Sequence, residues 1–396
     1  MSATPVSRRS FARALGAALG ACALAPRFTP LAAAPAPAPP SGRPKQVPPS
    51  THADLGFPPG AVRIDSNENP YGPFPKALQA MAPSERGCAR YPDAMEDEVV
   101  AALAKLHGVG PENVTLGCGS GEILRMAGMA FLKEGKRVVA AEPTFEAVLS
   151  YARVTHAEAA KVPLTSDYRH DLLRMAEVCS ASTGLVYVCN PNNPTGTIVT
   201  REEVGAFLDR IPRETMVLVD EAYHHFVEDT RYATALGWMG KKPNLLVART
   251  FSKIYGLAGM RLGYGVGSKE TIEAMRPYRT WSNTNAAVLE AALASLTDTS
   301  HLETTRATMN ATRSWLRAEM AKDSRATIES HANFVMIDVG SDVSPIIAAL
   351  RERGVYVGRK FPSLGSWLRV SIGTQEEMQK FVTALRAVLP AASKAA

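Results

Sequence analysis

The chain has 396 residues, 46% hydrophobic and 21% charged, a composition that argues against a disordered chain. Its formal charge of +6 is confined to one end: residues 1–50 hold six basic residues and no acid, and beyond them Lys+Arg and Asp+Glu stand at 38 each, which removes the electrostatic case for nucleic-acid binding. No apolar run reaches the roughly 20 residues of a membrane-spanning helix, and five cysteines without a C-x-x-C pair argue against a zinc module or a disulfide scaffold.

Arg8, Arg9 and Phe11 precede an apolar, small-residue stretch at 14–25, the layout of an export signal over residues 1–25. Paired arginines of this kind resemble the twin-arginine type, whose machinery carries folded cargo, so the mature protein is expected outside the cytoplasm, in a periplasm. Leu19-Gly20-Ala21-Cys22 also resembles a lipoprotein box, in which a lipid on Cys22 would give a membrane anchor. Residues 26–60, rich in Pro and Ala, read as an extended linker, and the turn-rich residues 61–95 as an irregular N-terminal arm.

From there the chain changes character. Apolar residues at helical spacing (Val99, Val100, Leu103, Leu106) predict a helix over 96–107. A glycine-rich turn at 117–121 opens a second helix, with Ile123, Ala127, Ala130 and Phe131 on one face. Strand-like runs at 137–141, 185–189, 216–220 and 245–249 then alternate with helical stretches. That rhythm predicts an α/β region over 96–297, with a mostly parallel sheet covered on both faces. Residues 298–396 read as a smaller α+β domain, with helices near 302–322, 343–353 and 375–389 and strands near 333–339, 355–357 and 367–372.

Chemistry-bearing residues fall just beyond the predicted strands. PNNPTG follows the second run, DEAY closes the third, and TFSK then GLAGMR follow the fourth. Ligands of open α/β sheets bind outside the carboxyl ends of the strands, so one crevice would receive Asn193, Asp220, Tyr223, Lys253 and Arg261. A lysine forms a Schiff base with an aldehyde, an acid holds a pyridine nitrogen protonated, and Asn and Tyr bond a phenolic oxygen. Backbone N–H groups where the 117–121 turn starts its helix, with Ser252 and Arg261, suit a phosphate. Those are the needs of pyridoxal 5′-phosphate. His224-His225 has no further ligands at useful spacing, so no metal is expected.

At these residues the chain resembles the fold-type I pyridoxal-phosphate enzymes, class I/II aminotransferases, and within them the histidinol-phosphate aminotransferase branch. The supporting strings are NENPYGP (67–73), YPD (91–93), GSGE (119–122), PNNPTG, DEAY, TFSK, GLAGMRLGY and LRVSIGT (368–374), in family order over about residues 60–390. The resemblance implies a large domain with a mostly parallel sheet and a small C-terminal domain. It makes Lys253, Asp220 and Tyr223 catalytic. Lys253 would carry the cofactor as a Schiff base and later move the substrate's Cα proton; Asp220 would pair with the pyridine nitrogen. Asn193 and Tyr223 would bond the phenolic oxygen, and Phe145 would stack on the ring. Ser120, Gly121, Glu122, Ser252 and Arg261 would hold the cofactor at its phosphate end, joined by Tyr91 from a second subunit, which implies a homodimer. Arg369 would bind the substrate's anionic group, and Tyr71, Asn333 and Arg359 would line the substrate side. The implied reaction moves an amino group from an amino donor to a 2-oxo acid. A lyase or decarboxylase on the same core, or a non-catalytic cofactor-binding protein, stands as the alternative. Phosphorylated biosynthetic intermediates stay in the cytoplasm, so the export signal points to a donor other than histidinol phosphate, such as an aromatic amino acid.

Overall fold

The computed structural model describes residues 56–389. The expected export signal, the Cys22 box and most of the linker lie outside them. The described residues form one compact unit.

The main sheet has seven strands: β2 (Val114–Gly117), β3 (Arg137–Glu142), β4 (Glu158–Pro163), β5 (Thr183–Cys189), β6 (Met216–Asp220), β7 (Leu245–Thr250) and β8 (Gly263–Gly267), in the order β2-β8-β7-β6-β5-β3-β4. Only β8 runs against its neighbours. The strands are apolar on both sides because both faces are covered. Val186, Val188, Val217, Val219 and Val247 meet Val204, Phe207 and Leu208 of the helix Arg201–Arg210. The alternate residues Leu185, Tyr187, Leu218 and Leu246 meet Ile123, Leu124 and Ala127 of the helix Ser120–Phe131. The helix Arg201–Arg210 starts on a reciprocal cap visible in the sequence: Thr200 accepts from the Glu203 N–H, and the Glu203 carboxylate accepts from the Thr200 N–H.

The remaining strands make two small pairs. Strand β9 (Phe334–Asp338) pairs antiparallel with β11 (Trp367–Ser371), and β1 (Val62–Ile64) pairs parallel with β10 (Val355–Val357). One apolar core runs through both groups, joining Leu116 and Val266 of the main sheet to Phe334, Val370 and Phe381.

Three expectations need correction. The arm is not wholly irregular, because Val62–Ile64 is a strand whose partner lies in the last hundred residues. Strand β8 went unread because three of its five residues are glycine, which has low strand propensity. There a side chain is sterically barred, since a Cβ on Gly263 would run into the backbone of Gly119 and Ser120. Strand β4 is an exposed edge carrying Glu158 and Lys161, so it lacks the apolar signature of the buried strands.

Candidate active site

Strands β5, β6 and β7 are neighbours in register, with Cys189 opposite Asp220 and Asp220 opposite Ala248. Their carboxyl ends therefore deliver Asn193, Asp220 and Lys253 to one edge of the sheet. Strand β2 ends at the same edge, at Gly117, and leads into the helix Ser120–Phe131. A cavity of about 1030 Å³ opens there. It is lined by Ser120, Gly121, Phe145, Asn193, Asp220, Tyr223, Ser252, Lys253, Arg261, Arg359 and Arg369, eleven of the expected residues.

The Lys253 amine donates to the Ser66 carbonyl at 3.3 Å. Burial, then the positive charge of Arg369, lowers its pKa to about 8. Asp220 is buried, and that burial raises its carboxyl to about 6, against the pull of hydrogen bonds from the Tyr187 hydroxyl (3.0 Å) and the Ala222 N–H (3.1 Å). The Tyr223 hydroxyl accepts from the side-chain amides of Asn67 at 3.1 Å and Asn193 at 3.4 Å. Arg369 donates to Asn193 Oδ1 at 2.9 Å and to the Asp65 carbonyl at 2.8 Å, which aligns it along the cavity wall.

At the other end, Gly119 turns the chain at φ +77° into the helix Ser120–Phe131. A Cβ on Gly119 would overlap the Arg261 guanidinium, so the glycine is what lets that cation approach the helix start. Arg261 also reaches Ser252 Oγ at 3.4 Å and the Ala258 carbonyl at 2.8 Å.

Four expected residues stand elsewhere. The carboxylate of Glu122 accepts from the N–H groups of Cys118 (2.7 Å) and Thr280 (3.1 Å), from Asn283 (2.5 Å) and from Arg125 (3.1 Å). Burial opposes its charge, but those donors hold its pKa below the usual carboxylate value. It braces the turn behind the phosphate seat and does not line the cavity. Asn333 is buried and donates to the carbonyls of Asn67 (3.0 Å) and Glu68 (3.2 Å), so it fastens the arm and does not face a substrate. Tyr71 is 42% exposed and off the cavity. Tyr91 is 73% exposed and lines a separate cavity with Cys88 and Arg90. Among the described residues no cluster of His, Cys, Asp and Glu could hold a metal.

The cavity also holds residues the sequence reading passed over. Ser66, Glu68 and Glu146 line it, and Tyr187 and Asn67 support it. Tyr187 alternates with apolar residues in a strand, where an aromatic reads as core. Asn67 and Glu68 sit inside the NENPYGP string, which gave a signal without a role. Glu146 carried no signal beyond its place after Phe145.

A profile of the family aminotransferase class I and II matches residues 60–385. The chain belongs to this family. This aminotransferase is 38% identical over 331 residues to the histidinol-phosphate aminotransferase of Moorella thermoacetica, covering 83% of this chain and 85% of that one. It is 40% identical over 336 residues to histidinol-phosphate aminotransferase 2 of Methylococcus capsulatus, covering 83% and 90%. Among solved structures it resembles a putative histidinol-phosphate aminotransferase from Erwinia carotovora atroseptica, with a TM-score of 0.80, 30% identity and coverage of 83% and 95%. It also resembles the Sinorhizobium meliloti histidinol-phosphate aminotransferase in complex with pyridoxal-5′-phosphate, with a TM-score of 0.78, 29% identity and coverage of 83% and 90%. The expected fold-type I architecture is borne out, and the cofactor is pyridoxal 5′-phosphate. The residues present fit that group: an amine of lowered pKa and a buried carboxylate share one cavity, and the missing Cβ of Gly119 leaves an anion seat between a helix start and Arg261.

Proposed function

We propose that this aminotransferase moves an amino group from an amino acid, or a related amine, to a 2-oxo acid, with Lys253 as the catalytic base and Arg369 as the anchor for the substrate's carboxylate. When bound, pyridoxal phosphate supplies an aldehyde that takes up the amino group and an electron-withdrawing ring. The supporting observation is the convergence of Lys253, Asp220, Asn193 and Arg369 on one cavity.

Each residue then has a task set by its surroundings. Lys253 would hold the cofactor through its amine and serve as the base for the proton at the substrate Cα; its lowered pKa makes the neutral amine accessible near pH 8. Asp220 holds a proton at the pyridine nitrogen, and a cation there restores the charged carboxylate that burial disfavours. Asn193 and Tyr223 bond the phenolic oxygen. The N–H groups of Ser120 and Gly121, with Ser252 and Arg261, hold the phosphate, and Phe145 covers the ring. Arg369, steadied by Asn193 and Asp65, binds the carboxylate.

The relatives are named for histidinol phosphate. The sequence of residues 1–25 supports export by the twin-arginine route, which separates the mature protein from phosphorylated cytoplasmic intermediates. We therefore propose that the donor is a different amine, in a periplasmic homodimer to which Tyr91 contributes across the interface. A panel of amines, histidinol phosphate included, screened for loss of the cofactor's visible absorbance in the processed protein tests the substrate. Rapid turnover of histidinol phosphate alone would overturn that proposal. The N-terminal mass of the mature protein reads the cleavage site and any lipid.

A further inference from the structure

At the outer part of the cavity, Glu146 and Arg359 form an ion pair with Nη2 and Oε2 2.8 Å apart. Both side chains are about half exposed, 56% and 53%, and both line the cavity. They come from opposite walls. Glu146 follows Phe145 and opens the helix Ala147–Val154, while Arg359 follows β10. The Arg359 guanidinium lies over the Phe361 ring, 4.3 Å from its centroid. Arg369 approaches the same ring at 5.3 Å, so the two arginines flank one aromatic side chain.

The charges lining the cavity are even. Lys253, Arg261, Arg359 and Arg369 face Asp65, Glu68, Glu146 and Asp220. Within the proposed function, three of these cations have tasks: Lys253 on the cofactor, Arg261 on its phosphate and Arg369 on the substrate carboxylate. Arg359 is the cation left for a second anionic group, and Glu146 already holds it.

We propose that Glu146 is a specificity-determining residue. By pairing with Arg359 it withdraws the outer cation from substrates, so that the site favours amino and oxo acids with one carboxylate and an uncharged side chain over those with a second carboxylate in the side chain. A second anion reaching Arg359 must displace Glu146 and then sit beside its carboxylate, an arrangement of like charges that selects against it. The inference rests on the aminotransferase reading, with Arg369 as the first anchor.

The test compares the purified holoenzyme with Glu146→Gln, measuring kcat/KM of the donor half-reaction for phenylalanine, leucine and glutamate. The wild type is expected to favour phenylalanine and leucine at least tenfold over glutamate. Glu146→Gln is expected to raise glutamate at least fivefold relative to phenylalanine. Adding Arg359→Ala should remove that gain. A wild-type preference for glutamate, or a variant that shifts all three donors by one common factor, overturns the proposal. Failure of both enzymes to react with any amine instead overturns the aminotransferase reading, and this inference with it.

Discussion

Asp220 shows how much of a catalytic residue's behaviour lies in a neighbour with no reactive role. Its buried carboxylate has two donors, the Tyr187 hydroxyl and the Ala222 N–H. Tyr187→Phe keeps the ring that fills the core and removes one donor, so the carboxyl rises further and holds the pyridine proton less firmly. The cofactor Kd is expected to increase about ten- to a hundredfold, the size of one hydrogen bond to a charged group. Titration of the apoprotein reads it, and an unchanged Kd at pH 7 counts against the role. Lys253 gives a second expectation. Its pKa is lowered to about 8, and only the neutral amine attacks an aldehyde. Cofactor uptake by the apoprotein should therefore quicken about tenfold per pH unit between pH 6 and 7 and level off above 8; stopped-flow absorbance that keeps climbing to pH 10 would contradict it. Lys253→Ala should abolish the visible absorbance of the bound cofactor. Lys253, Asp220, Asn193 and Arg261 were legible because their strings stand in order after apolar strands. Glu122 and Asn333 do not line the cavity, because a string gives a position and no direction: Glu122 accepts from the Cys118 N–H, and the Asn333 amide donates to the Asn67 carbonyl.

At the scale of elements, hydrophobic runs carried the reading where burial is two-sided. Strands β5, β6 and β7 are buried throughout and mostly apolar, and the sequence located them to within two residues. Besides β2 and the edge strand β4, it missed β1 and β8, for opposite reasons. The first is three residues long and exists only through its pairing with β10. The second is shaped by what must pass close to it, and glycines leave no apolar trace. The same steric logic applies at the turn before the helix Ser120–Phe131. Gly119→Ala places a Cβ at positive φ against the Arg261 guanidinium. The strained backbone costs about 1–3 kcal/mol, and the displaced arginine should weaken cofactor binding more than tenfold. Thermal unfolding of the apoprotein and cofactor titration separate the two effects. A variant with wild-type affinity would show that Arg261 does not hold the phosphate.

Over the whole molecule, the charge asymmetry was fully legible, because it needs only a count along the chain. The buried histidines were not. Burial lowers His107 and His170 to about 4 and His225 to about 3, with Arg249 assisting at His225. Each pKa lies below the unfolded value, so the stability these groups contribute is complete above pH 6.5 and is lost as the pH falls towards 4. His170 and His225, both fully buried, each remove about 2 kcal/mol on going from pH 6.5 to 4.5, and the partly exposed His107 removes less because solvent screens it. Asp220, raised to about 6, acts in the opposite sense over pH 4–6, one group against three. The urea midpoint of the apoprotein should therefore fall on acidification over that window, and a flat or rising midpoint would contradict it. The arm carries a different consequence. Residues 65–68 form one wall of the cavity, yet they are held by Asn333, Arg369 and Ser371, with Asn67 and Ser371 separated by 304 positions. A ribosome adding about 5–20 residues per second needs roughly 15–60 seconds to cover that distance. The nascent chain thus carries an unfinished wall until residues 333–371 have emerged, and cofactor loading has to wait for them.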